Sequence, residues 1–465
     1  MTASASIDSF RSRRQRIADA MRAAGGGVAI VPTAPEHQRN SDNDHPYRQG
    51  SDFHYLTGFA EPGAWLVIAA DGRTTLVCRP KDVEREMWDG LRLGPDAAPA
   101  ALGVDAAFPL ERLDETMVAA LANQAAVWWL FETPELGAKI EAWLDRVRSK
   151  SRAGVEAPRT QNDLGAVLAA MRIVKDPGEL ETMRRAGAIS AKAHVRAMRF
   201  CAGRFARDPG DAIPEYEIEA EFLHEFRRRG ADGPAYGSVV AAGANACVLH
   251  YIPGATKLRA GELCLVDAGC ELDGYASDIT RTFPADGRFS APQRELYEIV
   301  EAAQRAAIAA TRPGARLRDG HAAAVRVLAE GMLATGLLAR KVVGDVDAVI
   351  ESSAYRAFFM HGTGHWLGRD VHDVGDYQQA DEAPVEQPDW QGGRVVKKPS
   401  RKLEPGMVVT IEPGIYVRPA EGVPERFWNI GIRIEDDAVV TTAGCELISR
   451  GVPVAAMEIE ALMRG

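Results

Sequence analysis

The chain has 465 residues, 46% of them hydrophobic and 26% charged, which is enough apolar surface for two or three folded domains. A formal net charge of −10 and a pI of about 5.6 argue against nucleic acid and anionic membranes as partners, because both require a surplus of Lys and Arg. The six cysteines show no CxxC spacing, so they indicate neither a disulfide framework nor a zinc knuckle and favour a reducing cytoplasm.

The N-terminal third has the pattern of an α/β domain. Short apolar runs such as GGGVAIVPTAP and GAWLVIAADGR, separated by Gly, Pro and Asp-Gly turns, predict strands. Helices are predicted at residues 121–129 and 138–147. No apolar run follows the basic residues near the N-terminus, and none elsewhere reaches about 18 residues, so we expect neither secretion nor a membrane span.

Between residues 149 and 163 the sequence SKSRAGVEAPRTQND is polar and has no periodicity, which is typical of a linker. We therefore place the domain boundary in this region. The expected domains are residues 1–165 and residues 166–465.

The second domain opens with a helix start signal. Asp176 can cap the helix, Pro177 suits its first position, and Glu179 can complete a capping box. Helices and hairpin-like strands then mix without strict alternation, which favours an α+β fold. The further predicted helices are residues 216–228, 293–311 and 319–338, and the predicted strands are residues 262–268, 408–411 and 431–440.

Two aspartates flank a predicted hairpin in LCLVDAGCELDGYASDITRTFP. Asp267 ends an apolar strand, and the turn pair Asp273-Gly274 would return Asp278 to its side. The chain has 65 acidic residues, so two aspartates on an exposed hairpin would also be unremarkable. The segment alone favours that simpler interpretation.

Three of the ten histidines lie close together in FFMHGTGHWLGRDVHDVG. They are His361, His365 and His372, and the glycines between them allow tight turns and close backbone approach. One such histidine would be explained as a hydrogen-bonded, partly buried imidazole. Three together favour a functional site.

Two glutamates lie in apolar runs of strand type, Glu412 in MVVTIEPGIYV and Glu435 in IGIRIEDDAVV. A buried carboxylate is costly unless it is paired or bound to a cation. Arg433 could form a structural salt bridge with Glu435, whereas Glu412 has no basic neighbour in sequence.

Four carboxylates and one imidazole could form a single metal centre. This oxygen-rich set without a thiolate suits hard or borderline divalent ions, and its charge favours two ions that share carboxylates. Mn²⁺ is the first expectation, with Co²⁺, Zn²⁺ or Mg²⁺ as substitutes. The expected ligands are Asp267, Asp278, His365, Glu412 and Glu435.

In this order, the motifs resemble the pita-bread metallopeptidases, a family that includes methionine aminopeptidase, prolidase and aminopeptidase P. The family's ligand order Asp, Asp, His, Glu, Glu is matched without a departure, and the resemblance covers essentially the whole chain. It implies an α+β pita-bread catalytic domain, preceded by a creatinase/aminopeptidase P-like α/β domain that serves substrate access and oligomerisation. It also implies peptide substrates and a homodimer or homotetramer.

The resemblance alone assigns the remaining roles. It implies Glu412, His250, His361 and His372 as catalytic residues, and Arg433, Tyr416, Trp88 and Asp42 as substrate-binding residues. Trp88 and Asp42 would border the site of a neighbouring subunit.

The N-terminal segments RNSDNDHPYRQGSDFHYLTGF and MWDGLRLGP resemble the aminopeptidase P branch, which implies short substrates with proline at the second position. Residues 376–402, however, are closer in length to the matching loop of prolidase, which uses a basic residue there to hold a dipeptide's carboxylate. Lys397, Lys398 or Arg401 could do the same, and a solvated surface insertion is the alternative. Prolidase and a non-peptidase pita-bread protein are the competing functions.

Overall fold

The computed structural model describes residues 7–388 and 393–465. By its internal contacts the chain divides into two compact units, Met1–Met171 and Arg172–Gly465. Within the described ranges, no helix combines the length and the apolar character needed to cross a membrane.

The first unit contains a six-stranded mixed sheet and a small separate hairpin. Its strands are β1 (Val28–Pro32), β2 (Gln38–Asn40), β3 (Asn43–Asp44), β4 (Trp65–Ala69), β5 (Thr74–Cys78), β6 (Ala106–Pro109), β7 (Ala126–Trp129) and β8 (Thr160–Asp163). Its helices are α1 (Ile7–Ala23), α2 (Ser51–Thr57), α3 (Val83–Asp89), α4 (Gly94–Leu102), α5 (Leu113–Leu121), α6 (Pro134–Arg148) and α7 (Gly165–Arg172).

The sheet has the strand order β6-β5-β4-β1-β7-β8 and is covered on both faces. Alternate residues of β1 enter two different apolar clusters, since side chains on a strand point to opposite faces. Ala29 and Val31 join the cluster that includes α1 and α2, and Val28 and Ile30 join the cluster that includes α5 and α6. The unit is thus the α/β layer structure expected from the sequence.

Two predictions for this unit were wrong. Residues 121–129 do not form a helix, because α5 ends at Leu121 and the β-branched and aromatic run AVWW forms β7, which pairs with β1. The predicted linker at residues 149–163 also ends in structure, since β8 pairs in parallel with β7 at the edge of the sheet. Because β8 is an edge strand with mostly exposed side chains, it carries no apolar signal.

The second unit mixes short antiparallel sheets with helices. Its helices are α8 (Pro177–Arg207), α9 (Glu215–Arg228), α10 (Ala291–Ala310), α11 (Leu317–Thr335), α12 (Arg340–Val343), α13 (Val346–Glu351) and α14 (Ala456–Arg464). Its strands are β9 (Ala212–Pro214), β10 (Gly233–Pro234), β11 (Val239–Ala242), β12 (Lys257–Arg259), β13 (Leu263–Asp267), β14 (Cys270–Leu272), β15 (Tyr275–Ala276), β16 (Thr280–Pro284), β17 (Val385–Pro388), β18 (Arg394–Lys397), β19 (Val408–Ile411), β20 (Gly414–Val417), β21 (Ile430–Arg433), β22 (Asp436–Val440) and β23 (Cys445–Leu447).

The predicted start of α8 is confirmed. The Asp176 carboxylate accepts a hydrogen bond from the Glu179 N–H at 2.9 Å, and the Glu179 carboxylate accepts one from the Asp176 N–H at 2.8 Å. This reciprocal pair satisfies two backbone donors at the helix start. The helices predicted at 216–228, 293–311 and 319–338 agree with α9, α10 and α11 to within three residues at each end.

The predicted aspartate hairpin is confirmed as a hairpin within a hairpin. β13 pairs antiparallel with β16, with Asp267 opposite Thr280, and the chain between them forms the smaller β14–β15 hairpin. Asp273 and Gly274 turn this inner hairpin with φ values of 51° and 73°. Positive φ at both central residues is what a tight type I′ turn requires.

The strand predicted at residues 431–440 is in fact two strands with different partners. β21 pairs with β20, and β22 pairs with β19. The chain changes sheets at Ile434 and Glu435, so Glu435 lies between strands instead of inside one. Glu412 lies at the corresponding break between β19 and β20.

Candidate metal centre and active site

The five residues predicted as metal ligands line one cavity of the second unit, with a volume of about 1000 Å³. Four of them lie at or next to the end of a paired strand, and the strand pairing therefore fixes their positions. The cavity is also lined by His250, His361, His372 and Arg433.

The two aspartates meet around a tyrosine hydroxyl. Tyr236 Oη lies 2.6 Å from Asp267 Oδ1 and 2.6 Å from Asp278 Oδ1. The backbone N–H of Asp278 donates to the carboxylate of Asp437, with N–O distances of 3.1 and 3.2 Å. These bonds fix both aspartates at the floor of the cavity.

His365 is oriented for ligation. Its Nδ1 lies 2.9 Å from the Trp366 carbonyl, to which it can donate, and its Nε2 lies 3.5 Å from Asp278 Oδ2. A ring that donates Nδ1–H to a carbonyl leaves Nε2 as the coordinating atom. Its backbone is held to Thr410 by two hydrogen bonds.

Glu435 and Arg433 do not form the salt bridge considered from the sequence. Arg433 Nη2 donates to Asp267 Oδ2 at 2.6 Å, and Glu435 Oε2 accepts from Thr280 Oγ1 at 2.7 Å. Thr280 Oγ1 also accepts from Arg433 Nε at 3.1 Å, which directs the guanidinium toward Asp267.

Glu412 lies between two histidines. Its Oε2 is 3.6 Å from His361 Nδ1, and its Oε1 is 4.0 Å from His365 Nε2. Its backbone N–H donates to the Thr363 carbonyl at 2.9 Å, which joins the end of β19 to the histidine segment.

Burial and mutual repulsion control the charges of these groups. Burial raises the pKa of Glu412 to about 7 and that of Glu435 well above its ordinary value, with further increases from Asp278 and Asp267. Burial also raises the pKa of Asp267, although Arg433 opposes the rise. At Asp278 burial acts in the same direction, but the hydrogen bond and charge of His365 outweigh it and lower the pKa.

The donor set fits divalent cations. Burial raises the pKa of Asp267, Glu412 and Glu435, so their ionised forms need compensating positive charge, which bound cations would supply. Asp278, His365 and Glu435 each offer a ligand atom, and these atoms lie within 4.8 Å of one another. Ligands at about 2 Å from an ion lie up to about 4 Å apart, so small side-chain movements would bring the three onto one ion.

A series of hydrogen bonds from Arg433 through Tyr416 holds His361. Arg433 Nη1 donates to the Tyr416 hydroxyl at 3.0 Å, and this hydroxyl lies 2.8 Å from His361 Nε2. His361 Nδ1 lies 2.7 Å from the Gly362 carbonyl. Burial lowers the pKa of His361 to about 3, so the ring is neutral and donates from Nδ1 while Nε2 accepts. Both ring nitrogens therefore already have protein partners.

The other predicted residues differ in placement. His250 and His372 are exposed residues of the cavity wall, and the ring of His372 lies 4.0 Å from that of His365. Tyr416 is buried behind the wall. Asp42 and Trp88 belong to the first unit and are exposed.

Reasoning from the sequence missed three residues of this site. Tyr236, Thr280 and Asp437 contact the predicted ligands directly. Tyr236 precedes β11 in the Gly- and Pro-containing stretch GPAYGS, and Thr280 is an ordinary strand threonine, so neither offered a chemical signal. Asp437 did offer one, as the third of three consecutive acids, Glu435 to Asp437, in an apolar run.

Comparisons with known proteins agree with this geometry. Residues 181–442 match metallopeptidase family M24, and residues 10–128 match the aminopeptidase P N-terminal domain. The chain is 42% identical over 459 residues to the Xaa-Pro aminopeptidase of Escherichia coli K12, covering 98% of this chain and 97% of that protein. It is 40% identical over 460 residues to the Xaa-Pro aminopeptidase of Haemophilus influenzae, with the same coverage.

Solved structures show the same fold. An aminopeptidase of Pseudomonas aeruginosa superposes with a TM-score of 0.88 at 44% identity, covering 98% of each chain. Escherichia coli aminopeptidase P with the inhibitor Pro-Leu superposes with a TM-score of 0.89 at 40% identity, covering 99% of this chain and 98% of the other. The family resemblance and the fold class expected from the sequence are thereby confirmed. The chain belongs to metallopeptidase family M24, and it is a metal-dependent peptidase with a pita-bread catalytic domain after an aminopeptidase P N-terminal domain.

Proposed function

We propose that this enzyme is a dinuclear aminopeptidase that removes the N-terminal residue preceding proline from short peptides. The observation that carries the proposal is the convergence of four carboxylates and one imidazole in a cavity large enough for a peptide. The similarity to Xaa-Pro aminopeptidases over 98% of the chain supports the proline specificity. Asp267, Asp278, His365, Glu412 and Glu435 would hold two ions, with Mn²⁺ first and Co²⁺, Zn²⁺ or Mg²⁺ as substitutes.

Such ions, when bound, lower the pKa of an attacking water and polarise the scissile carbonyl. Glu412 would take a proton from that water and pass it to the departing proline nitrogen. His250 and His372 expose imidazoles to the cavity and would donate hydrogen bonds to the peptide. His361 would do so by exchanging the bond that its Nδ1–H donates to the Gly362 carbonyl.

The remaining assignments belong to the same proposal. Arg433 and Tyr416 would act on the substrate indirectly, through the series of hydrogen bonds that reaches His361. We propose a homodimer or homotetramer in which Trp88 and Asp42 border a neighbouring subunit's site. Trp88 is 82% exposed, which suits a residue with a partner. Residues 1–165 would serve substrate access and assembly, and residues 166–465 catalysis. A cytoplasmic location is supported by six unpaired cysteines.

Proline specificity has a physical basis. An Xaa-Pro bond has no N–H, so peptidases that require a backbone donor at this position are disfavoured. A pocket shaped for the pyrrolidine ring would replace that contact.

The test compares an Xaa-Pro-Yaa tripeptide, an Xaa-Ala-Yaa tripeptide and an Xaa-Pro dipeptide as substrates of Mn²⁺-loaded and chelator-stripped enzyme. We expect loaded enzyme to cleave the proline tripeptide, and stripped enzyme to be inactive. Glu412→Ala should keep its circular dichroism spectrum and lose about 100-fold or more in turnover. A stripped enzyme with full activity would overturn the metal proposal.

Prolidase is the second candidate, favoured by the length of the 376–402 segment. Part of that segment forms the β17–β18 hairpin, and residues 389–392 lie outside the described part of the chain. Lys398 Nζ donates to the Ala380 carbonyl within the segment. The described part of the cavity wall includes none of the three candidate basic residues, Lys397, Lys398 and Arg401. This favours the surface-insertion interpretation. Cleavage confined to the dipeptide would establish prolidase instead.

A further inference from the structure

Glu215 is a buried carboxylate that the proposed mechanism does not use. It is the first residue of α9, and its relative exposure is 0%. Its Oε1 accepts from the Ala242 N–H and from Asn245 Nδ2, both at 2.9 Å. Its Oε2 accepts from the Tyr251 hydroxyl and from the Gly254 N–H, both at 3.0 Å. Four donors thus fill the four lone-pair sites of the carboxylate.

All four donors belong to the segment 242–254, which carries His250. Two hydrogen bonds reach the segment before His250, and two reach it after. The backbone adds two further bonds, from the Glu215 N–H to the Thr256 carbonyl at 3.0 Å and from the Tyr216 N–H to the Gly254 carbonyl at 3.3 Å. One side chain therefore closes the segment into a loop of fixed span.

His250 depends on this loop for its position. It is exposed at the cavity wall, and within the described part of the chain its imidazole makes no hydrogen bond. The first half of the loop is held separately, because Arg418 Nη2 donates to the Cys247 carbonyl at 2.7 Å. The second half, which contains His250, is held by the two bonds to Glu215 Oε2 together with the backbone bond from Tyr216 to Gly254.

The choice of a carboxylate is informative. Among the described residues, Glu215 forms no ion pair, so four neutral donors compensate its desolvation. An apolar side chain would fill the same space without that desolvation cost. Hydrogen bonds to an ionised acceptor are roughly twice as strong as neutral ones and shorter, and so hold a backbone segment more firmly.

We propose that Glu215 is a positioning residue that fixes His250 toward the reacting peptide. This inference rests on the proposed function, from which the role of His250 comes. Glu215 acts through His250, so its contribution to turnover should disappear when His250 is removed.

The test is a double-mutant cycle of Glu215→Gln and His250→Ala in the metal-loaded enzyme. The glutamine amide offers two donors where an acceptor is needed, so the loop should loosen. We expect Glu215→Gln to lower kcat about 10- to 100-fold, because a displacement of about 1 Å in a catalytic group can cost that much. In the His250→Ala background the same change should cost less than about twofold.

Glu225→Gln is the matched control. Glu225 is also buried, on the same helix, but it pairs with Arg229, Arg228 and Arg196. Its replacement should lower thermal stability and leave kcat unchanged, which separates helix stability from positioning. If Glu215→Gln fails to fold, Tyr251→Phe removes one donor from the half of the loop that contains His250 and should show the same dependence on His250.

Hydrogen exchange provides a readout that is independent of turnover. Amides of residues 243–256 should exchange faster in Glu215→Gln and at the wild-type rate in Glu225→Gln. Unchanged exchange, or losses that multiply with those of His250→Ala, would overturn the inference. If the wild-type enzyme cleaves no Xaa-Pro peptide, the proposed function fails, and the exchange result still decides whether Glu215 holds the loop.

Discussion

Tyr236 connects the two aspartates of the cavity through one hydroxyl. A phenol has one proton, so it can donate to Asp267 or to Asp278 but not to both at once. Burial and the two carboxylates raise the pKa of Tyr236 well above its ordinary value, so the proton stays on the ring oxygen. We infer that Tyr236 orients one oxygen of each aspartate for the proposed metal site, while Arg433 holds the other oxygen of Asp267.

We expect Tyr236→Phe to weaken Mn²⁺ binding about 10- to 100-fold, since loss of a group that orients ligands typically has this effect. Isothermal titration of the metal-free protein would measure it. Tyr275→Phe is the control, because the Tyr275 hydroxyl likewise donates to a carboxylate, that of Glu179 at 2.7 Å, but outside the cavity. Equal affinities in wild type and Tyr236→Phe would leave the phenol without a role in the metal site.

His194 makes stability depend on pH. It is fully buried on α8, its Nε2 lies 3.0 Å from the Ala268 carbonyl, and burial lowers its pKa to about 3. Unfolded histidine titrates near 6.5, so below that pH the unfolded chain binds a proton that the folded protein does not. The stability contributed by neutral His194 is thus complete above pH 6.5 and is lost as the pH falls toward 3.

Between pH 7 and pH 5 this loss amounts to about 2 kcal/mol of unfolding free energy. His194→Gln cannot titrate and should remove that part of the pH dependence, as measured by urea unfolding at both values. His224→Gln, which replaces an exposed histidine of α9, should leave the dependence as in wild type. If the unfolding free energy of His194→Gln fell between pH 7 and pH 5 as much as that of wild type, His194 would not be the group responsible.

At this scale the sequence identified the residues whose chemistry conflicts with their surroundings. Carboxylates in apolar runs and clustered histidines were conspicuous, and the structure brings all five proposed ligands to one cavity. Tyr236 and Thr280 were not conspicuous, because a hydroxyl suits a strand or a turn whether or not it holds a ligand. The pairing of Arg433 with Asp267 joins residues 166 positions apart and required the fold.

Among the elements, the nested hairpin from β13 to β16 determines how the aspartates meet. Gly269 lies at its narrowest point, where an added Cβ would stand 1.7 Å from the Ser277 carbonyl oxygen. Gly269→Ala must therefore separate the two arms of the hairpin. We expect a loss of at least about 1–3 kcal/mol in urea unfolding, together with weaker Mn²⁺ binding, because Asp267 and Asp278 move apart.

Gly203→Ala is the contrasting change. Gly203 is exposed inside α8 with nothing within 4 Å of an added Cβ, so alanine should raise stability by about 1 kcal/mol. If Gly269→Ala were tolerated as well as Gly203→Ala, the hairpin would have more freedom than the backbone contact allows.

The wrong element predictions share a cause. Residues 121–129 and 431–440 each span a change of structure or of sheet partner, and apolar runs do not mark where that change occurs. Residues 160–163, at the end of the predicted linker, were polar because β8 is an exposed edge strand, so this strand was missed. Helix ends with a chemical signal, such as the capping box of α8, were predictable because two side chains specify them.

Across the whole molecule, the two units have separate apolar cores, and all five proposed metal ligands belong to the second unit. Cation binding should therefore stabilise one unit and not the other. The sequence predicted the order of the ligand motifs and their meeting at one metal centre, whereas the strand pairings between distant segments that bring them together required the fold.

Removal of the metal ions should expose this division. We expect a chelator to speed hydrogen exchange about 100-fold in the strands that contain or adjoin the ligands, β13, β16, β19 and β21, because ions at about 100 times their Kd stabilise a site by about 2.7 kcal/mol. The amides of β1, β4 and β7 should not change, and added Mn²⁺ should restore protection. Asp278→Asn, which lacks one proposed ligand, should exchange like stripped enzyme with or without the chelator. Faster exchange spread equally over both units would contradict a metal effect confined to the catalytic unit.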